Sequence, residues 1–134
     1  METLILPGSE KTPYILLNPN GEMVLSGISM PIDAADFYFK IIEWFSDYYR
    51  DPQKETLITV SFSYLNSSSE SMIFKLFYCL DRLVQWNKSS VKCSWYYDKT
   101  DESMEILIER IREYASNIDY SVYPMDNILD AIAS

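Results

Sequence analysis

Three consecutive serines, Ser67-Ser68-Ser69, follow Asn66 at the end of a strand-forming run, and they are the residues of this chain best suited to chemistry. The run 55–64 is rich in β-branched and aromatic residues, and an apolar stripe of helical period begins at Met72. The serines therefore fall at the start of a helix. Backbone N–H groups there lack partners within the helix, and the helix dipole is positive at that end. A hydroxyl in this position can carry a phosphate that the helix end itself solvates. The same residues also fit a structural role. Ser67-x-x-Glu70 has the spacing of a capping box, in which the hydroxyl accepts from the amide of Glu70 and Glu70 reaches back to the amide of Ser67.

Other chemistry is narrowed by what the composition omits. The chain has no histidine, so Ser–His and Cys–His nucleophile pairs and His-based metal sites are excluded. Its two cysteines, Cys79 and Cys93, fall at positions that read as buried and are expected as reduced thiols. No cofactor and no metal is expected. A hydrolase would have to use Ser67 or Ser68 as nucleophile with Asp98 or Lys75 assisting. It would lack both a Gly-x-Ser-x-Gly elbow and a histidine base. Asp98 ends the aromatic run Trp95-Tyr96-Tyr97, at the C-terminal end of a strand, where open α/β sheets place their sites. Alternation along that run buries Trp95 and Tyr97 and exposes Tyr96.

The 134 residues are 48 % apolar, enough for one domain, 1–134, with one core. Twenty acidic against eleven basic residues give a net charge of −9. Nucleic acid and anionic membrane surfaces are poor partners for such a chain, and a basic face on a protein is a good one. No segment reads as a secretory signal or approaches the ~20 apolar residues of a membrane span, so a cytoplasmic protein is expected.

The elements that must position the serines follow from periodicity. After a short extended lead-in at 4–8, Tyr14 to Leu17 and Glu22 to Ser26 form a hairpin about the turn Asn18-Pro19-Asn20-Gly21. Asp33 caps a first helix on which Phe37, Ile41, Trp44, Phe45 and Tyr48 share a face, with Tyr38, Phe39 and Tyr49 read mainly as core. In the strand 55–64, Ile58, Val60, Phe62 and Tyr64 alternate with Thr59, Ser61 and Ser63, which indicates helices on one face only. The second helix carries Met72, Ile73, Leu76, Phe77, Leu80, Leu83 and Val84 and ends near Trp86-Asn87. Val91, Cys93, Trp95 and Tyr97 mark the next strand. Thr100 caps a third helix lined by Met104, Leu107, Ile108, Ile111 and Ala115, with Glu105, Glu109, Arg112 and Glu113 outward. Tyr120, Val122 and Pro124 suggest an edge strand, and 127–133 a last helical turn or two. The expected architecture is α/β (α+β): one mixed sheet of about five strands, helices mainly on one face, the later strands parallel through right-handed crossovers. Ile58, Val60, Phe62, Leu76, Leu80, Trp95, Leu107 and Ile111 should be buried. Ser67 and Asp98 should then open on the same edge.

Several short motifs together resemble a known family. Leu6-Pro7-Gly8-Ser9, Thr12-Pro13, Trp44, Tyr64-Leu65-Asn66-Ser67-Ser68-Ser69 and Trp95-x-Tyr97-Asp98 followed by Asp101-Glu102 occur in the order seen in the SiaC family of bacterial regulatory phosphoproteins. That family is similar to STAS domains, the fold of anti-sigma-factor antagonists, in agreement with the element order. The resemblance implies a non-enzymatic switch. A kinase phosphorylates the hydroxyl residue after the Asn of the Tyr-Leu-Asn motif, here Ser67, and a PP2C-like phosphatase removes the phosphate. The unphosphorylated form binds and activates a diguanylate cyclase, raising cyclic-di-GMP and favouring biofilm growth. Asn66, Ser67, Ser68, Ser69 and Asp98 are the expected partner-binding residues. A constitutive adaptor without phosphorylation, and the Ser/Asp hydrolase, are the alternatives.

Overall fold

A computed structural model describes residues 1–126. The helical tail expected at 127–133 lies outside the described residues. The elements are β1 (Leu4–Leu6), β2 (Tyr14–Leu17), β3 (Glu22–Ser29), α1 (Ala34–Tyr48), β4 (Glu55–Leu65), α2 (Ser67–Gln85), β5 (Ser90–Asp98), α3 (Glu102–Tyr114) and β6 (Asp119–Met125). They build one sheet in the order β1-β2-β3-β4-β5-β6. The first three strands are antiparallel neighbours, and β3 to β6 pair parallel.

Each helix links a strand to its immediate parallel neighbour, and always in the same direction. Right-handed crossovers of that kind deliver every helix to the same face of the sheet. Burial records the result. On β4 and β5, Thr56, Ile58, Val60, Val91, Cys93 and Trp95 are enclosed under the helices, while the paired Leu57 and Lys92 on the other face are exposed. Ile58, Val60, Phe62, Leu76, Leu80, Trp95, Leu107 and Ile111, the residues expected to be buried, are each at most 3 % exposed. The centre of that core is a stack of Trp95 on Phe77, ring centroids 5.3 Å apart, with Tyr120 beyond Phe77 at 6.3 Å. Burying the indole there leaves Trp95 Nε1 without a hydrogen-bond partner among the described residues.

The sheet has six strands where about five were expected. The extra one is β1, read from the sequence as an extended lead-in. Three residues are too few to show alternation, but Leu4, Ile5 and Leu6 pair with Leu17, Leu16 and Ile15. Trp44 on α1 donates its indole N–H to the carbonyl of Glu2 at 2.9 Å and ties the segment down. The turn before β3 needs Gly21, which has φ +99°. A Cβ there would lie 2.6 Å from the carbonyl oxygen of Glu55. Its own carbonyl accepts from the Leu57 amide at 2.8 Å, which sets the β3–β4 register.

Three side-chain readings are corrected. Tyr64 does not continue the buried face of Ile58, Val60 and Phe62; it is 51 % exposed. A bulge is the cause: Gly27 pairs with Phe62 and Ile28 with Tyr64, so Ser63 is an extra residue, and its hydroxyl donates to the Gly27 carbonyl at 3.3 Å. One inserted residue reverses the alternation beyond it, turning Tyr64 out and Leu65 into the core. Phe39 is likewise exposed, because the helical period places it opposite Tyr38 and Ile41, which are sealed. Cys93 is buried as expected, with its thiol pKa pushed up by burial, whereas Cys79 is half-buried.

Candidate functional site

Because β3, β4 and β5 run parallel, their C-terminal ends share one edge of the sheet. The bulge at Ser63 and the pairing of Ser29 with Leu65 bring β4 to that edge in a fixed register. Asn66 follows in extended conformation, its amide donating to the Ser29 carbonyl at 3.0 Å. Its side-chain Oδ1 accepts from the Ser69 amide at 2.9 Å, so Asn66 is the N-cap of α2. This corrects the capping box expected between Ser67 and Glu70. Asparagine caps as well as serine does, and the bond from β3 to the Asn66 amide places it one residue ahead of Ser67. Replacing Asn66 by Ala is expected to cost ~1 kcal/mol, and replacing Ser67 by Ala well under ~0.5 kcal/mol, in urea unfolding. The reverse order would return the cap to Ser67.

The three serines have three different fates. Ser69 is fully buried. Its hydroxyl donates to the Ser29 carbonyl at 3.0 Å and lies 2.8 Å from Ser29 Oγ, which lies 2.7 Å from the Tyr38 hydroxyl. Each hydroxyl has one proton. Ser69 spends its own on the carbonyl, so Ser29 donates to Ser69 and Tyr38 donates to Ser29. Burial pushes the Tyr38 phenol up to about 12, which keeps that donor protonated. The relay joins α1, β3 and α2. Ser68 is exposed and donates to Asn66 Oδ1 at 3.2 Å. Ser67 is exposed at the first helical position, and its hydroxyl makes no hydrogen bond among the described residues. Its amide and that of Ser68 are the free N–H groups of the helix end.

Across from Ser67 lies the start of α3. A cleft of about 340 Å³ is lined by Tyr64, Leu65, Asn66, Ser67 and Glu70 on one side and by Asp101, Ser103, Met104 and Leu107 on the other. Asp101 caps α3, its carboxylate accepting from the Met104 amide at 3.0 Å. That role was expected of Thr100, which instead bonds backward. Asp98 Oδ1 accepts from the Thr100 amide at 2.9 Å and from its hydroxyl at 2.7 Å. The Thr100 hydroxyl, with its amide, holds the Asp98 carboxyl below the usual carboxylate range. Asp98 thus shapes the turn that delivers Asp101 and does not line the cleft. The structure brings Asn66 and Ser67 to the cleft, leaves Ser68 exposed outside its lining, puts Ser69 in the core and keeps Asp98 out of the lining. Tyr64, Glu70, Asp101 and Ser103 complete the lining. Parallel pairing of β4 and β5 is the signal that could have found Asp101 and Ser103; the bulge behind Tyr64 has none at sequence level. The half-buried Tyr96 stacks on Tyr123 at 4.8 Å, on the sheet face away from the helices.

Among the described residues, no helix is long and apolar enough to cross a membrane and no group of His, Cys, Asp or Glu is arranged to hold a metal ion. Compared with known families, residues 6–125 match the model of the SiaC family regulatory phosphoproteins. The chain belongs to the SiaC family. No curated protein sequence matches it. Among solved structures it is similar to apo-SiaC from Pseudomonas aeruginosa, at 25 % identity, covering 92 % of this chain and 99 % of that one, with a TM-score of 0.82. It is equally similar, at 25 % identity, 91 % and 99 % coverage and TM-score 0.82, to SiaC from the crystal structure of diguanylate cyclase SiaD in complex with its activator SiaC from the same organism. A further structure of SiaC of Pseudomonas aeruginosa, 24 % identical over 93 % of this chain and 98 % of that one with TM-score 0.78, has the same fold.

Proposed function

We propose that this SiaC-family chain is a non-enzymatic signalling switch of the bacterial cytoplasm. Unphosphorylated, it binds and activates a diguanylate cyclase; a kinase turns it off by phosphorylating Ser67, and a PP2C-like phosphatase resets it. The observation that carries this reading is the contrast within the row Ser67-Ser68-Ser69: of these three, Ser67 alone combines exposure with a hydroxyl that makes no hydrogen bond among the described residues. The similarity to a SiaC that was crystallised with the cyclase it activates supports the choice of effector.

The chemistry of the switch follows from the cleft. Phosphorylation adds about −1.5 to −2 charges. The free amides of Ser67 and Ser68 and the helix dipole favour the phosphate by ~0.3–1 kcal/mol. Glu70 and Asp101 on the same cleft oppose it. The two local effects are of similar size, so the domain keeps its fold and the new charge is left at the surface. An effector pressed against the free hydroxyl then meets an ion it cannot solvate.

A hydrolase is disfavoured by geometry. The Asp98 carboxyl is spent on Thr100 and held below its usual range, which makes it a weak proton acceptor. Lys75 lies two turns along α2 from Ser67, roughly 12 Å at ~1.5 Å per residue. Intact-mass analysis of the chain from its native cell is expected to show one added phosphate, mapping to Ser67 and absent from Ser67→Ala. A chain that is never phosphorylated would instead be the constitutive adaptor. Turnover of ester or phosphate substrates, lost in Ser67→Ala, would make it the hydrolase.

A further inference from the structure

The far end of α2 carries a surface unlike the rest of this acidic chain. Its outward stripe runs Lys75, Tyr78, Arg82, Trp86 at one-turn spacing, with no carboxylate among them. Tyr78 and Trp86 are 45 % and 58 % exposed. The Arg82 guanidinium lies 5.5 Å from the Tyr78 ring and 5.1 Å from the Trp86 ring, and it donates to the Tyr78 hydroxyl at 2.7 Å. Lys88 Nζ sits 4.6 Å from the Tyr49 ring and donates to the Tyr49 carbonyl at 3.2 Å. Among the described residues neither cation has an ion-pair partner, although acidic residues outnumber basic ones nearly two to one. The adjacent Asp81 is committed elsewhere: it accepts from the Asn117 amide and side chain. Next to these cations, α1 and α2 leave a groove of about 300 Å³ lined by Ile42, Phe45, Tyr49, Cys79 and Leu83, with Arg82 at its rim.

Stacking on aromatic rings holds a guanidinium in place without consuming its charge or most of its donors. Such an arginine is prepared for a carboxylate, which it can grip through two parallel hydrogen bonds. The net charge of −9 repels acidic partners at long range, but beyond the ~8 Å Debye length at physiological salt that repulsion is screened. At contact the local cations decide. We propose that this groove docks an acidic segment of a partner protein. A leucine or phenylalanine of the segment enters between α1 and α2, and flanking Asp or Glu side chains meet Arg82 and Lys88. Arg82 lies roughly 22 Å along α2 from Ser67, at ~1.5 Å per residue. That exceeds the screening length, so docking here is indifferent to the state of Ser67, and a partner held at this end stays while the other end switches.

A display library of random peptides about 16 residues long, enough for four helical turns, panned on the full chain tests this. The enriched peptides should combine Asp or Glu with a Leu or Phe anchor. By fluorescence anisotropy, the double variant Arg82→Glu with Lys88→Glu should weaken them about tenfold or more, and Ser67→Glu should change them by less than about twofold. Ser46→Trp, an exposed α1 position that faces the groove, should weaken them as well while leaving both cations in place. Peptides without an acidic bias, or peptides that bind the double variant as well as the parent, would overturn the proposal. Equal loss from Ser67→Glu would overturn the independence of the two ends. Sedimentation with phosphatidylglycerol vesicles that the double variant abolishes, with no peptide enriched, would assign the surface to lipid instead.

Discussion

Ser67→Glu is expected to weaken binding of the cognate diguanylate cyclase by about tenfold or more, ~1.4 kcal/mol, in calorimetric titration. The hydroxyl it replaces is exposed, makes no hydrogen bond among the described residues, and lines a cleft of about 340 Å³ together with Glu70 on its own side and Asp101 on the other. A carboxylate placed there joins two others in a contact that the effector must desolvate. Glu109→Lys is the matched control. Glu109 lies on the outward face of α3, 61 % exposed, and among the described residues its only ion pair is with Arg112 at 3.2 Å. An exposed pair of that kind contributes ~0–1 kcal/mol, and reversing it should change affinity little. Equal losses from the two substitutions would mean that general acidity drives binding. An unchanged affinity in Ser67→Glu would place the interface elsewhere on the surface.

Ser69→Asp should be the most destabilising of the serine substitutions, by ~3 kcal/mol or more. Its hydroxyl is sealed from water and donates to the Ser29 carbonyl while accepting from Ser29 Oγ. An aspartate there would bring a carboxylate against a carbonyl oxygen and leave the Tyr38–Ser29 donors reorganised around a buried charge. For a chain of this size the melting temperature should fall by roughly 10 °C. Ser67→Asp, two residues away, should leave it unchanged or slightly raised, because an acidic residue in the first turn favours the helix dipole by ~0.3–1 kcal/mol. Thermal melts of the two variants decide. If both melt with the parent, the relay through Ser29 does not hold α2 to β3. The same burial means that a phosphate cannot sit on Ser69 in the folded domain.

Much of this molecule was legible before its structure. The period-two runs at 55–64 and 91–97 and the 3.6-period stripes after Asp33, Met72 and Met104 depend only on residues a few positions apart, and all became the strands and helices they indicate. Hydroxylated and polar residues opposite the bulky face of β4 announced a sheet covered on one side. Element order then required parallel strands with Ser67 and Asp98 on one edge. Where the reading failed, two local rules competed for the same residues or a distant strand pairing overrode the local pattern. Thr100 looked like a cap and became the partner of Asp98, because Asp101, one residue later, capped α3 instead. Tyr64 looked buried and was turned out by a single extra residue in β4. β1 was too short to show a period, and only its pairing with β2 makes it a strand.

By itself, then, the sequence determined the secondary elements and their order, the single covered face, the acidic surface and the presence of three hydroxyls at one helix start. Local periodicity and composition carry that information without reference to any distant residue. Only the tertiary structure decided which hydroxyl is free. Ser67, Ser68 and Ser69 are the same residue type in a row, and nothing in the row distinguishes them. Their roles are set by Ser29, forty residues from Ser69 in the chain, whose carbonyl takes the proton of Ser69 and also binds the amide of Asn66. That contact makes Asn66 the cap, locks Ser69 inside and leaves Ser67 exposed to whatever reaches the edge of the sheet.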